Sequence, residues 1–115
     1  MDSIRIDGIL TRGAHGATAA ERAHPQVLRV DAAVDIDLGT AAVSDDLHDT
    51  IDYAALRRRL CGIVETTSFS LLERLGAALL DAIFEDARVA AAEVTIAKPH
   101  ILGGATPAVT LRRTR

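Results

Sequence analysis

Six apolar residues, Leu28, Val30, Ala32, Val34, Ile36 and Leu38, share one parity within residues 26–38, while Arg29, Asp31, Asp35 and Asp37 hold the other. Successive side chains of a strand point to opposite faces, so this pattern predicts a strand with one buried and one solvated face. Residues 3–10 alternate more weakly through Ile4 and Ile6, before the glycine-rich segment Gly13-Ala14-His15-Gly16. The alternation returns over 90–98 with Ala92, Val94 and Ile96, and over 107–113 with Val109 and Leu111.

Between the two strand pairs the period changes. Leu56, Leu60, Ile63 and Val64 recur at helical spacing after Asp52, a natural N-cap, and Leu72, Leu75, Leu79 and Ile83 do so after Ser70. The order is ββααββ. Residues 39–51 are acidic and irregular and read as a long connection. The expected fold is α+β, one domain over residues 1–115, with a four-stranded antiparallel sheet and both helices on one face. A small open sheet has unpaired edges, which invite association with other copies.

Composition narrows the function. Hydrophobic residues make up 49% of the chain but aromatics only 3%, so few rings could stack on bases. A formal charge of −3 gives no basic field for nucleic acid, and Arg57-Arg58-Arg59 reads as a solvated helix face. Cys61 has no partner for an intrachain disulfide, the N-terminus lacks the apolar core of a signal peptide, and no long apolar span occurs. A soluble cytoplasmic protein without membrane or nucleic-acid partners is expected.

Of thirteen Lys and Arg residues only Lys98 is lysine, and it lies in phase with Val94 and Ile96. Arginine cannot be deprotonated in a protein, whereas a partly buried lysine can trade a proton, so Lys98 is the first candidate for proton transfer. The alternative is a strand-end lysine that extends its amine to water. Ser70-Leu71-Leu72-Glu73 fits a capping box, in which Glu73 would bond back to the cap's N–H. Alternatively, Glu73 and the free N–H groups of that turn face a ligand, with the carboxylate accepting two parallel N–H bonds. Glu21, in Ala20-Glu21-Arg22, reads as a loop glutamate. Tyr53, the only tyrosine, opens a helix, where its hydroxyl could act as acid or base. His15, His24, His48 and His100 form no metal-binding spacing, and no phosphate-binding glycine motif or nucleophile elbow occurs. Neither a metal nor a cofactor is expected.

In order along the chain, Gly13-Ala14-His15-Gly16, Glu21-Arg22 with Gln26, Ser44 through Tyr53, Phe69-Ser70-Leu71-Leu72-Glu73 and Lys98-Pro99 together resemble the dihydroneopterin aldolases of folate biosynthesis. The resemblance implies the tunnelling fold, whose ββααββ subunits join sheets into rings, two tetrameric rings stacking into an octamer with sites between subunits. It implies that Glu73 grips the pterin's 2-amino group and N3–H beside the backbone of Leu72. It further implies that Glu21 and Lys98 surround the hydroxylated tail, and that Tyr53 handles the proton at the carbon released. The activity implied is retro-aldol cleavage of 7,8-dihydroneopterin, independent of metal and Schiff base, with 2′-epimerisation as a side reaction. The alternatives are a dihydroneopterin triphosphate epimerase and a non-catalytic ring-forming pterin binder. After Lys98-Pro99 the chain reads His100-Ile101-Leu102-Gly103-Gly104, departing from the Pro-Ile-Pro-Gly stretch of many relatives.

Overall fold

A computed structural model describes residues 1–115. In chain order the elements are β1 (Ser3–Gly13), α1 (Ala19–Arg22), β2 (Gln26–Asp35), α2 (Gly39–Ser44), a 3-10 turn at Leu47–Asp49, α3 (Tyr53–Thr66), α4 (Leu72–Ile83), β3 (Ala91–Ala97) and β4 (Ala108–Thr114). The strands form one antiparallel sheet in the order β1-β2-β3-β4, so β1 and β4 are its edges. The long helices share one face, α3 over β1 and α4 over β3 and β4. No helix is long and apolar enough to cross a membrane.

The parity of β2 does what its sequence demands. Leu28, Val30, Ala32, Val34 and Ile36 are buried, and the first four share one core cluster with Val94 and Ile96 of β3 and Leu60, Val64, Leu75 and Leu79 of the helices. Burial of each of the Val, Leu and Ile side chains among them stabilises the fold by roughly 1.5–3 kcal/mol. β2 ends at Asp35, sooner than the alternation suggests, although the amide of Ile36 still bonds the carbonyl of Asp2 at 3.0 Å in the same register.

The weak alternation of β1 has a physical cause. Its register shifts between Ile6 and Ile9, where Gly8 adopts φ +74° and donates its N–H to Asp31 at 2.6 Å. Ile4 and Ile6 face inward before this bulge, and Ile9, Thr11 and Gly13 after it, so the inward parity changes midway. Residues 39–51 are not wholly irregular, because α2 and the 3-10 turn lie there. Neither buries a residue, which leaves no hydrophobic period to read. Asp52 caps α3 as expected, accepting from the amides of Ala54 and Ala55 at 3.0 and 3.1 Å.

Candidate active site

Lys98 continues the inward parity of β3 by one position, and its side chain is only 11% exposed. A buried ammonium needs a partner, and it has one: Nζ lies 2.9 Å from Oε2 of Glu21. Glu21 therefore does not sit in an open loop. It closes the four-residue helix α1 in a capping box, in which Thr18 Oγ1 accepts from the Glu21 amide at 3.2 Å. Oε1 of Glu21 in turn accepts from the amide and hydroxyl of Thr18, at 3.4 and 3.3 Å. The two carboxylate oxygens thus divide their work, one holding a helix end and one holding Lys98. The hydrogen bond and charge of Lys98 keep the Glu21 carboxyl below its ordinary value.

The expected capping box at Ser70 is absent. Leu71 is the N-cap of α4 and offers no side-chain bond, so Leu72 and Glu73 open the helix with Glu73 exposed. The competing pairings explain this. Phe69 bonds through its amide to Nδ1 of His15 at 2.9 Å and through its carbonyl to the amide of Gly16 at 3.1 Å. Ser68 donates to the carbonyl of Ala14 at 2.6 Å. This pairing ties Ser68 and Phe69 to the glycine-rich turn, and the helix begins at Leu72, one residue later than a cap at Ser70 requires.

His15 is the residue whose importance the sequence concealed. Fully buried, it accepts at Nδ1 from Phe69, so Nε2 carries the proton and donates to the Val64 carbonyl at 2.9 Å. One neutral imidazole thereby ties β1's exit to the C-terminal end of α3 and to the approach of α4. Arg22 adds a further tie, donating to the Gly16 carbonyl at 2.8 Å. The consequence is that Glu21, Lys98, Leu72 and Glu73 lie at one end of the molecule, where Ala97 pairs with Arg29 and β1 ends.

Tyr53 lies at the other end. It starts α3, whose 14 residues span about 20 Å at 1.5 Å each, and the far end of that helix is the one His15 holds. Its side chain is 66% exposed and makes no hydrogen bond. The largest cavity, about 570 Å³, also lies at Tyr53's end, lined by Leu47, Ile51, Asp52, Leu56, Ile83 and Arg88 among others. None of the larger cavities touches Glu21, Glu73 or Lys98. A single chain therefore presents the polar groups as an open surface, with one of the four candidate side chains displaced to the opposite end.

The segment after Lys98 folds on itself. Leu102 and Ala105 exchange backbone bonds of 3.0 and 2.8 Å, and His100 donates its amide to Thr106 Oγ1 at 3.0 Å. His100, Gly103 and Gly104 all take positive φ, and Leu102 is exposed at the tip.

Comparison with known proteins agrees over nearly the whole length. The family model described as dihydroneopterin aldolase (FolB) matches residues 4–112. A dihydroneopterin aldolase of Streptococcus pyogenes serotype M18 is 35% identical over 86 residues, 75% of this chain and 72% of that protein. The FolB crystal structure from Vibrio cholerae superposes with a TM-score of 0.94 at 26% identity, covering 100% of this chain and 98% of that one. The Escherichia coli dihydroneopterin aldolase, solved in complex with neopterin, gives a TM-score of 0.92 at 24% identity, covering 98% and 99%.

Proposed function

Since the chain belongs to the dihydroneopterin aldolase family and has its tunnelling fold, we propose that Glu21, Tyr53, Leu72, Glu73 and Lys98 carry the aldolase reaction at a site shared between two copies. The observation that carries this reading is the Lys98–Glu21 pair, a buried ammonium held at 2.9 Å by a carboxylate beside the uncapped start of α4.

The chemistry suits these groups. 7,8-Dihydroneopterin contains a C6=N5 imine conjugated to its side chain. When the 2′-hydroxyl loses its proton and the C1′–C2′ bond breaks, the bonding pair flows into the ring as an enamine. Carbon C2′ leaves in glycolaldehyde. The substrate thus brings its own electron sink, so the reaction needs neither a Schiff-base lysine nor a metal. In its neutral form Lys98, directly or through a water, takes the hydroxyl proton, and the Glu21 carboxylate orients the amine and stabilises the ammonium that results. Tyr53 of a neighbouring copy returns a proton to C1′, which gives 6-hydroxymethyl-7,8-dihydropterin. Glu73 accepts the parallel N–H donors of the pterin edge, and the backbone at Leu72 meets the ring's other polar atoms. If the enamine's C1′ adds back to the other face of the glycolaldehyde carbonyl, C2′ is epimerised.

A ring of copies joined through the edges of β1 and β4, stacked in pairs to an octamer, would bring the Tyr53 end of one chain to the Lys98 end of another. The exposure of Tyr53 and the lack of an enclosed cavity at Lys98 support the shared site. Incubation with 7,8-dihydroneopterin tests the reaction: glycolaldehyde and hydroxymethyldihydropterin are expected. Monapterin alone would indicate an epimerase, and no product a binder.

A further inference from the structure

The hydroxyl of Tyr53 has no hydrogen bond of its own, so its position depends on the first turn of α3 and on the chain that leads into it. Apart from Ile51, which packs against the core, that chain has few ties to the rest of the fold. The bonds of residues 39–51 are local, such as Ser44 Oγ to Asp49 at 2.6 Å and the His48 amide to Asp46 at 2.9 Å. Only two hydrogen bonds leave this segment for a distant part of the fold, and both come from Arg88. Its guanidinium reaches the carbonyl of His48 at 3.1 Å and that of Thr50 at 3.0 Å.

Arg88 is itself fixed. Nε and an Nη bond the two oxygens of Asp86 at 3.0 and 2.7 Å, and the Arg88 amide also donates to Asp86. The next residue, Val89, is fully buried, which fastens the backbone to the core. We propose that Arg88 is a positioning residue for Tyr53: by clamping the carbonyls of His48 and Thr50 it holds Ile51 and Asp52 in place, keeps the α3 cap closed, and sets where the Tyr53 hydroxyl meets the reacting carbon. A helix's first turn frays unless its free amides are capped, and here the capping carboxylate of Asp52 lies two residues beyond the clamped carbonyl of Thr50. Each partner favours the other's charged form: the Asp86 carboxyl is held below its ordinary value and the Arg88 guanidinium above its own, chiefly by the bonds between them. Lysine could not replace it, since an ammonium lacks the planar fork that spans two carbonyls and a carboxylate at once.

The inference rests on Tyr53 acting as the proton donor, and its test separates the two ideas. The chain has one tyrosine and no tryptophan, so tyrosine emission reports Tyr53 alone. In the assembled Arg88→Ala protein, the residual fluorescence anisotropy of Tyr53 should fall. Its kcat should drop by about 10²-fold, the effect of a misplaced reacting group, with KM changed little. In the Arg88→Ala, Tyr53→Phe double variant kcat should match that of Tyr53→Phe alone, because both changes act through one hydroxyl. Should alanine impair folding or assembly, Arg88→Lys is read in the same way. Wild-type anisotropy and kcat in the Arg88 variant, or a further kcat loss on top of an impaired Tyr53→Phe, would overturn the positioning role alone. A Tyr53→Phe protein with normal turnover would overturn the donor assignment and this inference with it.

Discussion

Gly16 and Glu21 pack so closely that a Cβ on the glycine would meet the Glu21 Cβ and lie 2.7 Å from Oε2, the oxygen that holds Lys98. The Glu21 Cβ is fixed by the backbone of α1, so the clash cannot be relieved by a rotamer change at the tip. Gly16→Ala should therefore destabilise the chain by about 1–3 kcal/mol, the usual range for overpacking. Urea denaturation measures it. Turnover should fall with it, because the carboxylate must leave Lys98 to make room.

The same carboxylate predicts a pH effect on stability. Its folded value is depressed below the ordinary 4.5, so its contribution is complete above that pH and is lost as pH falls through the folded value. The stability difference between the wild type and Glu21→Gln should be constant above about pH 4.5 and shrink on acidification. A difference that grew below pH 4.5 would contradict the ion pair.

For Lys98, charge and proton transfer can be told apart. Arginine keeps the charge but cannot accept a proton at working pH. Lys98→Arg should thus lose turnover as severely as Lys98→Ala, while both retain pterin binding better than turnover. If Lys98→Arg stayed active, the residue would serve only as a positive charge, and a water held by Glu21 would be the next base to examine.

Glu73→Gln replaces one acceptor oxygen with a donor. It should weaken pterin binding by about 1.5–3 kcal/mol, the range for hydrogen bonds to charged groups. Because the start of α4 has no side-chain cap, its melting temperature should stay close to wild type. Calorimetric titration and thermal melts together check this. A lowered melting temperature with unchanged affinity would restore the capping role.

Tyr53→Phe should reduce hydroxymethyldihydropterin formation by about 10²–10⁴-fold, the weight of a general acid. Binding should persist, and the unprotonated enamine becomes open to oxidation by oxygen. Copies carrying Tyr53→Phe and copies carrying Lys98→Ala, refolded together in equal amounts, should recover activity at about a quarter of the sites, as random pairing of two kinds of subunit requires. No recovery in mixed rings would place both residues in one chain's site.

Much of this was legible in the residues, and the exceptions have physical causes. Long period-2 runs such as Leu28 to Ile36 announce a strand because the buried face is continuous. The bulge at Gly8 blurs the same signal in β1 by switching its parity. Short α2 buries nothing and leaves no pattern. The capping box shows the limit most clearly: Thr18-x-x-Glu21 and Ser70-x-x-Glu73 are equivalent in sequence, yet only the first closes. What decides between them is the pairing of Ser68 and Phe69 with residues 14–16, a long-range contact that no local motif encodes. His15 was visible in the Gly13-Ala14-His15-Gly16 motif, but its structural role was not, because its partners are backbone groups of distant residues. The likeness to a known family, in contrast, was carried by the order of five short motifs.

Glu21 and Lys98 are 77 residues apart in the chain, and the only route between them runs through the docking of β3 against β2. The hairpin of β1 and β2, and each long helix, can begin to form from contacts nearer in sequence, but this pair must wait for a large loop to close. The contact between Lys98 and Glu21 is therefore expected to form late in the folding of each chain, after its scaffold. A partly folded copy would carry a carboxylate and an amine that had not yet met, and the lysine would stay exposed to water until β3 had docked on β2.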